Sequence, residues 1–203
     1  MSEVAGVVLA AGRGTRFGES PKLLATLDGR ALVRHAAEAA LAAGLAPVLV
    51  VVGHRAGGVE AALTGLPVRI VPNPDYADGL STSLRAGFAA LPPSAAAAAI
   101  LLGDMPRVSG GLVRRLAQAW REGGEPVALV PVHDGRRGNP AILSRGLAPA
   151  IAELVGDSGA GPLLRGRAGV VEFAVSDDAI RLDIDTPEAL ARLRPAQPAS
   201  TTP

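Results

Sequence analysis

The sequence predicts an α/β fold, a single-domain, Rossmann-like, mostly parallel sheet with helices on both faces. Apolar runs of strand length alternate with stretches of helical length along the 203 residues, which is typical of a parallel sheet covered by helices. Some runs are continuously apolar, as expected of strands buried on both faces. Apolar residues make up 48% of the chain, enough for the core of one domain.

Each predicted element follows from its own run of residues. The predicted strands are Val4–Ala10, Pro47–Val52, Val68–Val71, Ala95–Leu102, Val127–Val132, Val170–Val175 and Ile180–Ile184. The predicted helices are Ala31–Ala43, Val59–Leu63, Ser81–Leu91, Gly111–Arg121, Ala148–Leu154, Pro162–Leu164 and Pro187–Leu193. The alanines of Ala95–Leu102 favour a helix, but a Pro-Pro break before it and a Gly-Asp turn after it indicate a central strand.

Composition limits the function. We expect residues 1–194 to form the domain and residues 195–203, rich in Pro, Ser and Thr, to be a disordered tail. With no cysteine, disulfides and metal–thiolate sites are excluded. A net charge of +1 and 2% aromatic residues argue against nucleic acid as a partner. No apolar run is long enough to span a membrane, and no signal peptide is evident, so we expect a cytoplasmic protein.

One stretch dominates the chain, a buried apolar run that turns at Gly12 into a glycine-rich, basic loop. Glycines in such a loop allow close approach of the backbone to a ligand, and successive N–H groups can form an anion-binding nest. The loop carries three cations, Arg13, Arg16 and Lys22. Lys22 is the only lysine in the chain, and its compact charge suits a phosphate that changes position during a reaction.

Two familiar glycine loops fit this stretch poorly. The dinucleotide fingerprint G-x-G-x-x-G has Phe17 at its third glycine, and the next strand ends Val52-Gly53-His54 without a carboxylate. The P-loop pattern fails because Lys22 does not follow a glycine. The remaining alternatives are a phosphate-binding loop of another kind and a structural loop whose arginines are solvated.

The segment Leu9-Ala10-Ala11-Gly12-x-Gly14-x-Arg16-Phe17-Gly18, followed by Pro21-Lys22, resembles the signature of nucleotidyltransferases similar to the molybdenum cofactor guanylyl- and cytidylyltransferases. The resemblance continues through nearly the whole chain. It implies that the loop binds a nucleoside triphosphate and that Lys22, Arg16 and Asp104 are catalytic. The loop residues it implies for nucleotide binding are Leu9, Ala10, Ala11, Gly12, Arg13, Gly14 and Lys22.

Asp104 follows the buried run Ile100–Leu102 and precedes Pro106, so its carboxylate is held at the tip of a strand. This placement suits a Mg²⁺ ligand that bridges triphosphate oxygens. The alternative is an aspartate that caps the next helix, but Ser109 is better placed for that role. The segment Gly103-Asp104-Met105-Pro106 also resembles the metal-binding motif of the family.

A second carboxylate pair stands in Asp183-Ile184-Asp185. On the predicted strand, period-two spacing would put both carboxylates on one face. Helix capping is the alternative for Asp185, but Thr186 and Pro187 already make a good helix start. The resemblance implies that Asp185 is a second metal ligand, which Asp183 could orient from a second shell.

A long polar loop runs from Asn73 into the helix at Ser81. Asn73 and Ser81 can pair with a base edge or a ribose hydroxyl, and Gly79 allows close approach. The alternative is a turn with Ser81 as the helix cap. The family uses a matching stretch around the nucleotide, which favours binding.

The resemblance also implies an acceptor site. Gly138-Asn139-Pro140 resembles a Gly-x-Pro motif near the acceptor, although histidine is common where this chain has Asn139. Asp157 lies in a second glycine-rich motif that usually continues Gly-Ala-Arg, and Gly161 stands here in place of the arginine. Both departures leave the identity of the acceptor open.

We therefore expect an Mg²⁺-dependent transfer of a nucleoside monophosphate to a phosphorylated acceptor of the molybdopterin type. Cytidylyltransferases of the family resemble Leu-Ala-Ala-Gly at residues 9–12 and guanylyltransferases Leu-Ala-Gly-Gly, so CTP is the expected donor. The alternatives are a sugar-phosphate or other small-phosphate nucleotidyltransferase, an NAD-dependent oxidoreductase and a non-catalytic accessory of a molybdoenzyme. The protein is expected to be a monomer or weak dimer, with a molybdoenzyme as its possible client.

Overall fold

The computed structural model describes residues 2–14, Phe17 and residues 21–193. The strands of these residues are Glu3–Ala10 (β1), Thr26–Leu27 (β2), Arg30–Ala31 (β3), Val48–Val52 (β4), Arg69–Pro72 (β5), Ala95–Leu102 (β6), Ala128–His133 (β7), Arg136–Arg137 (β8), Ala141–Ser144 (β9) and Val170–Ala174 (β10). The α-helices are Leu32–Ala42 (α1), Ala56–Ala62 (α2), Leu80–Ala89 (α3), Gly110–Glu122 (α4), Ala148–Ala152 (α5), Ala160–Leu164 (α6) and Pro187–Leu193 (α7).

The main sheet has eight strands in the order β10-β7-β9-β6-β1-β4-β5, with β8 paired to β7. Strands β6, β1, β4 and β5 are parallel neighbours, and β10 is parallel to β7. Strand β9 lies antiparallel between β6 and β7. The predicted α/β fold with a mostly parallel sheet is therefore confirmed.

The central strands are buried on both faces, which explains their apolar runs. In β4 every residue is buried, and β1 is buried from Val4 to Ala10. The alanines of β6 pair with β1 on one side and β9 on the other, so partners from distant parts of the chain override their helical preference. Strand β6 has the bounds that the sequence predicts.

Helices cover both faces of the sheet. The core on one face is built by α1, α2 and α4, and it includes Val33, Val59 and Leu116. The core on the other face is built by α3, α5 and α6. A third cluster joins Phe17 to residues of the β2–β3 hairpin, α1, the segment before α7 and α7 itself.

The predicted strand Ile180–Ile184 is wrong. Residues Asp178–Arg181 form a 3₁₀ helix, and the chain then runs without regular structure to α7. Ile180 and Ile184 are both fully buried, but their backbones bond to loops instead of a strand: Asn139 N–H donates to the Ile180 carbonyl, and Ile184 N–H to the Asp104 carbonyl. The apolar pattern reflects burial without strand pairing.

Three short elements have no counterpart in the predicted order, namely the β2–β3 hairpin, β8 and β9. The other predicted elements are present with shifts of up to three residues at their ends. Gly44 follows α1 with φ +77°, as a C′ glycine should. The predicted tail at residues 195–203 lies outside the described residues.

Candidate active site

The carboxyl ends of the parallel strands carry the largest set of sequence-predicted site residues. A cavity of about 400 Å³ opens there. The residues that line it are Leu9, Ala11, Gly12, Arg13, Gly14, Lys22, Leu23, Tyr76, Ala77, Gly79, Leu80, Ser83, Leu102, Asp104 and Asp157. Most of them come from the carboxyl ends of β1 and β6, the loops after β1, β5 and β6, and the start of α3, as expected at the carboxyl edge of a parallel sheet. Asp157 comes from the loop between α5 and α6.

The two described glycines of the first loop differ in whether a side chain could be accommodated at their position. Gly14 has φ +59°, and a Cβ built on it would lie 2.8 Å from Cβ of Lys22. Gly12 has no such constraint, since a Cβ at that position would meet nothing within 4 Å. Gly12 lines the cavity, so a side chain there would take up space open to a ligand. Arg16 lies outside the described residues.

Lys22 stands between two carboxylates. Its Nζ lies 2.7 Å from Oδ2 of Asp104 and 2.6 Å from Oδ1 of Asp185. Burial disfavours the ammonium and is the largest single influence on its pKa, but Asp104 and Asp185 together outweigh it, and the pKa of Lys22 is raised above its usual value. Lys22 is therefore protonated near neutral pH. Its ammonium contacts carboxylates, whereas the sequence suggested contact with phosphate.

Asp185 reaches this position without a strand. The Ile184 N–H donates to the Asp104 carbonyl at 3.0 Å, which ties the segment before α7 to the loop after β6. Ile184 is fully buried, whereas Asp183 is exposed. The expectation that Asp183 and Asp185 share one strand face is therefore wrong, because residues 182–185 have no regular structure. The backbone hydrogen bond of Ile184 and its buried side chain therefore bring Asp185 beside Asp104.

The carboxylates fit a cation with oxygen ligands. Oδ1 of Asp104 is buried and has no hydrogen-bond partner among the described residues, and such an oxygen is costly unless something binds it. Ser109 caps α4 by accepting from Leu112 N–H, so Asp104 is not needed as a cap. Among residues 2–14, Phe17 and 21–193, no group of three or more metal-ligating side chains occurs. A metal held by Asp104 and Asp185 would take its other ligands from substrate and water.

Asn73 and Ser81 lie behind the cavity wall. The Asn73 amide donates to Oγ1 of Thr82 and Oγ of Ser83, and its Oδ1 accepts from Asp75 N–H. These bonds hold the loop to α3 and already use both the NH2 group and the oxygen of the amide. Ser81 is fully buried inside α3, whose N-cap is Gly79, and its hydroxyl has no partner in the described residues.

Tyr76 is a cavity residue to which the sequence analysis gave no role. Its ring lies 5.8 Å from the guanidinium carbon of Arg13 and 6.0 Å from the ring of His54. Gly53 makes room for it, because a Cβ there would lie 2.5 Å from Cβ of Tyr76. As the only tyrosine in a chain with 2% aromatic residues, it could have been singled out from composition.

A second cavity of about 230 Å³ adjoins the first, and both are lined by Leu9, Leu80 and Leu102. It contains Gly138 and Asn139, two of the predicted acceptor residues. Its other lining residues are Leu84, Ile100, Val130, Arg137, Ala141, Gly159, Ala160, Gly161 and Leu164. The walls are therefore mostly apolar.

Besides Asn73 and Ser81, three predicted residues lie apart from the cavities that their predicted roles imply. Pro140 is buried beside Asn139, and Ala10 is fully buried in the core. Asp157 lines the first cavity, although it was predicted to bind the acceptor.

The match to known families decides what kind of protein this is. A family model described as the MobA-like NTP transferase domain matches residues 6–172. The chain belongs to this family. MobA-like NTP transferases are nucleotidyltransferases that bind nucleoside triphosphates and use divalent metals. No helix in the described part of the chain is long and apolar enough to cross a membrane.

Individual relatives span nearly the whole MobA-like chain. Nicotine blue oxidoreductase of Paenarthrobacter nicotinovorans is 39% identical over 196 residues, which cover 94% of this chain and 96% of that protein. Rv0371C of Mycobacterium tuberculosis H37Rv, in a complex with manganese, is 31% identical with a TM-score of 0.80, covering 94% and 97%. A nucleotidyl transferase from Methanothermobacter thermautotroptrophicus is 29% identical with a TM-score of 0.81, covering 96% and 97%.

Proposed function

We propose that this MobA-like protein transfers a nucleoside monophosphate from a triphosphate, with CTP favoured, to the phosphate of a molybdopterin-type acceptor. The observation that carries the proposal is the meeting of Lys22, Asp104 and Asp185 beside two adjoining cavities. A glycine loop with cations suits a triphosphate, and the neighbouring cavity suits the body of an acceptor. No nucleophile from the protein is required.

In the proposed reaction an oxygen of the acceptor phosphate attacks the α-phosphorus of the triphosphate. The bond from that phosphorus to the bridging oxygen breaks, and pyrophosphate leaves with the electron pair. Arg13, Arg16 and Lys22 bind and orient the phosphates, while the acceptor phosphate is already ionised near neutral pH. Asp104 and Asp185 would hold Mg²⁺, which neutralises charge on the phosphate oxygens when bound.

The donor base is proposed to be read by the first loop. Ala11 lines the cavity and is 2% exposed, and its methyl group leaves less room than the glycine of the guanylyltransferase pattern. A methyl-sized obstacle changes selectivity by about 1–3 kcal/mol, so we expect CTP to exceed GTP by roughly tenfold to two-hundredfold in kcat/KM. Equal efficiency with GTP would contradict this assignment, and Ala11→Gly should relax the preference.

The second cavity favours a flat heterocyclic acceptor over a sugar phosphate. Its walls offer polar side chains only at Arg137 and Asn139, too few to satisfy the hydroxyls of a sugar once water is removed. The experiment is pyrophosphate release from CTP, GTP and ATP with molybdopterin and with sugar phosphates, each with Mg²⁺, Mn²⁺ or EDTA. Release with sugar phosphates alone would support the small-phosphate alternative, and nucleotide binding without release an accessory role.

A second candidate is reduction of a planar heteroaromatic compound by a pyridine nucleotide. The 39% identity to nicotine blue oxidoreductase over 94% of the chain favours it, whereas the poor match to the dinucleotide fingerprint counts against it. The same preparation, incubated with NADH or NADPH and nicotine blue, decides between the two. Oxidation of the nicotinamide that depends on the dye, without pyrophosphate release from any triphosphate, would replace the transferase proposal.

A further inference from the structure

In the structure the ammonium of Lys22 lies between the carboxylates proposed for the metal. Nζ of Lys22 lies within 2.7 Å of Asp104 and of Asp185, and the Lys22 side chain is only 10% exposed. The N–H groups of Lys22 therefore use lone pairs of Asp104 Oδ2 and Asp185 Oδ1. A divalent ion bound by these same two oxygens must compete with the ammonium for them.

The backbone of Lys22 is fixed, but the end of its side chain need not be. Lys22 opens a 3₁₀ helix directly after Pro21, and Gly14 packs against its Cβ. Beyond that carbon the side chain has several rotatable bonds, and it lines the first cavity together with Arg13. The ammonium can therefore turn from the carboxylates to an anion in the cavity without a change of fold.

The ammonium and a divalent ion compete for the same two oxygens. A divalent ion entering beside Lys22 would meet a like charge held against its own ligands. A triphosphate in the cavity offers the ammonium several negative oxygens elsewhere. Once Lys22 moves to them, its hydrogen bonds no longer occupy Oδ2 of Asp104 and Oδ1 of Asp185.

We propose that Lys22 gates the metal site: it holds the place of the divalent cation in the free protein and leaves it when a triphosphate binds. The proposal rests on the proposed function in one respect, that a triphosphate is the ligand that draws Lys22 away. It predicts that nucleotide and metal bind with positive coupling, and such couplings are typically about 5- to 150-fold.

The first test is titration of the nucleotide-free protein with Mn²⁺, followed by electron paramagnetic resonance. Lys22→Met keeps a long side chain without charge, and it should bind Mn²⁺ at least about fivefold more tightly than wild type. Arg13→Gln removes a charge from the same cavity without touching either carboxylate, and it should leave the affinity close to that of wild type. Equal Mn²⁺ affinity in Lys22→Met and wild type, or an equal gain in Arg13→Gln, would overturn the gate.

A second test uses the wild-type protein and does not depend on a variant folding. Because Lys22 is the only lysine in the chain, a protein labelled with ¹⁵N-lysine gives one side-chain ammonium resonance. The α,β-methylene analogue of CTP, added in EDTA, should shift this resonance, whereas Mg²⁺ alone at the same concentration should not. Binding of the analogue without a shift would overturn the gate.

Failure of the gate and failure of the proposed function can be told apart. If the analogue does not bind at all, the transferase proposal fails, while tighter Mn²⁺ binding by Lys22→Met would still show competition for the carboxylates. If the analogue binds and CTP itself is turned over, but the Lys22 resonance stays in place, the transferase proposal stands and the gate is wrong.

Discussion

Asp104 has two oxygens in different situations. Oδ2 accepts from Lys22, and Oδ1 is buried without a partner in the described residues. Burial of an oxygen without a hydrogen bond costs free energy, and a ligand that binds Oδ1 would recover it. The first prediction follows from this asymmetry.

Asp104→Asn should fold and lose most of its turnover. Metal catalysis is worth several kcal/mol, and each 1.36 kcal/mol is tenfold in rate, so we expect a fall in kcat of about a hundredfold or more. The free energy of unfolding should fall by at most about 2 kcal/mol, since Lys22 keeps its bond to Asp185. Asp134→Asn, at a carboxylate 85% exposed, is the matched control and should change neither quantity. Near wild-type turnover in Asp104→Asn would remove Asp104 from the metal site.

The glycines of the first loop give a second pair of matched variants. Gly12→Ala adds a methyl group in open space, so stability should hold to about 0.5 kcal/mol, while KM for the nucleotide rises by roughly tenfold or more. Gly14→Ala puts a side chain at φ +59° against Lys22 and should cost about 1–2 kcal/mol of stability. Thermal melts and steady-state kinetics on both variants check this. Loss of stability in Gly12→Ala without a change in KM would show that the loop needs Gly12 for itself.

The sequence could identify the residue types of the site more readily than their partners. Lys22 and Asp104 stand out because one is the only lysine and the other ends a buried strand. The bond between them is not readable from either motif, since it depends on how far the Lys22 side chain reaches in the folded loop. Asp185 was implied by the family resemblance, but the strand expected to carry it is absent, and a backbone bond to the Asp104 loop brings it to the site instead.

At the scale of elements, the start of α3 packs closely against the loop that carries Asp157 and is hydrogen-bonded to it. Gly79 has φ 108° and ψ 176°, a region open essentially only to glycine. A Cβ on Gly79 would lie 2.3 Å from the carbonyl carbon of Gly156, and Ser81 N–H donates to the Gly156 carbonyl. One wall of the first cavity is thus made of two backbones in direct contact.

Gly79→Ala should therefore separate α3 from the Asp157 loop. The backbone conformation alone costs about 1–3 kcal/mol, and the contact with Gly156 adds to it, so we expect a lower unfolding free energy together with weaker nucleotide binding. Gly57→Ala is the control, because it lies within α2 with nothing near its Cβ and should stabilise by about 0.5–1 kcal/mol. Denaturant titration and calorimetry measure the two effects. A Gly79→Ala protein as stable as wild type would show that the two segments can move apart freely.

Elements with strong local patterns were predictable, and those that depend on distant partners were not. Strands β1, β4 and β6 are apolar runs between turn signals, and this pattern was enough to predict them as strands. Strand β9 has only four residues, and both of its neighbours, β6 and β7, are non-local. Nothing within Ala141–Ser144 indicates that it will fill the gap between them in an antiparallel sense.

For the molecule as a whole, Trp120 belongs to the core on one face of the sheet, which meets the first cavity through Leu23 and Leu102. Trp120 on α4 is 1% exposed, and its Nε1–H donates to the Pro126 carbonyl. Trp120→Phe removes this bond and part of the packing, and should lower the unfolding free energy by about 1–3 kcal/mol with kcat and KM unchanged. Circular dichroism follows the melt, and Val155→Ser, at a side chain 75% exposed, is the control. A change in kcat at unaltered stability would mean that this core acts on the site.

The antiparallel position of β9 also sets an order of assembly during synthesis. The strands β1, β4, β5 and β6, which carry the glycine loop, Tyr76 and Asp104, have all been synthesised by residue 104. Strand β7 cannot join that half-sheet until residues 141–144 exist to stand between them. Asp185 is translated later still. Between the synthesis of residue 104 and that of residue 185, the growing chain offers Lys22 only one of its two carboxylates.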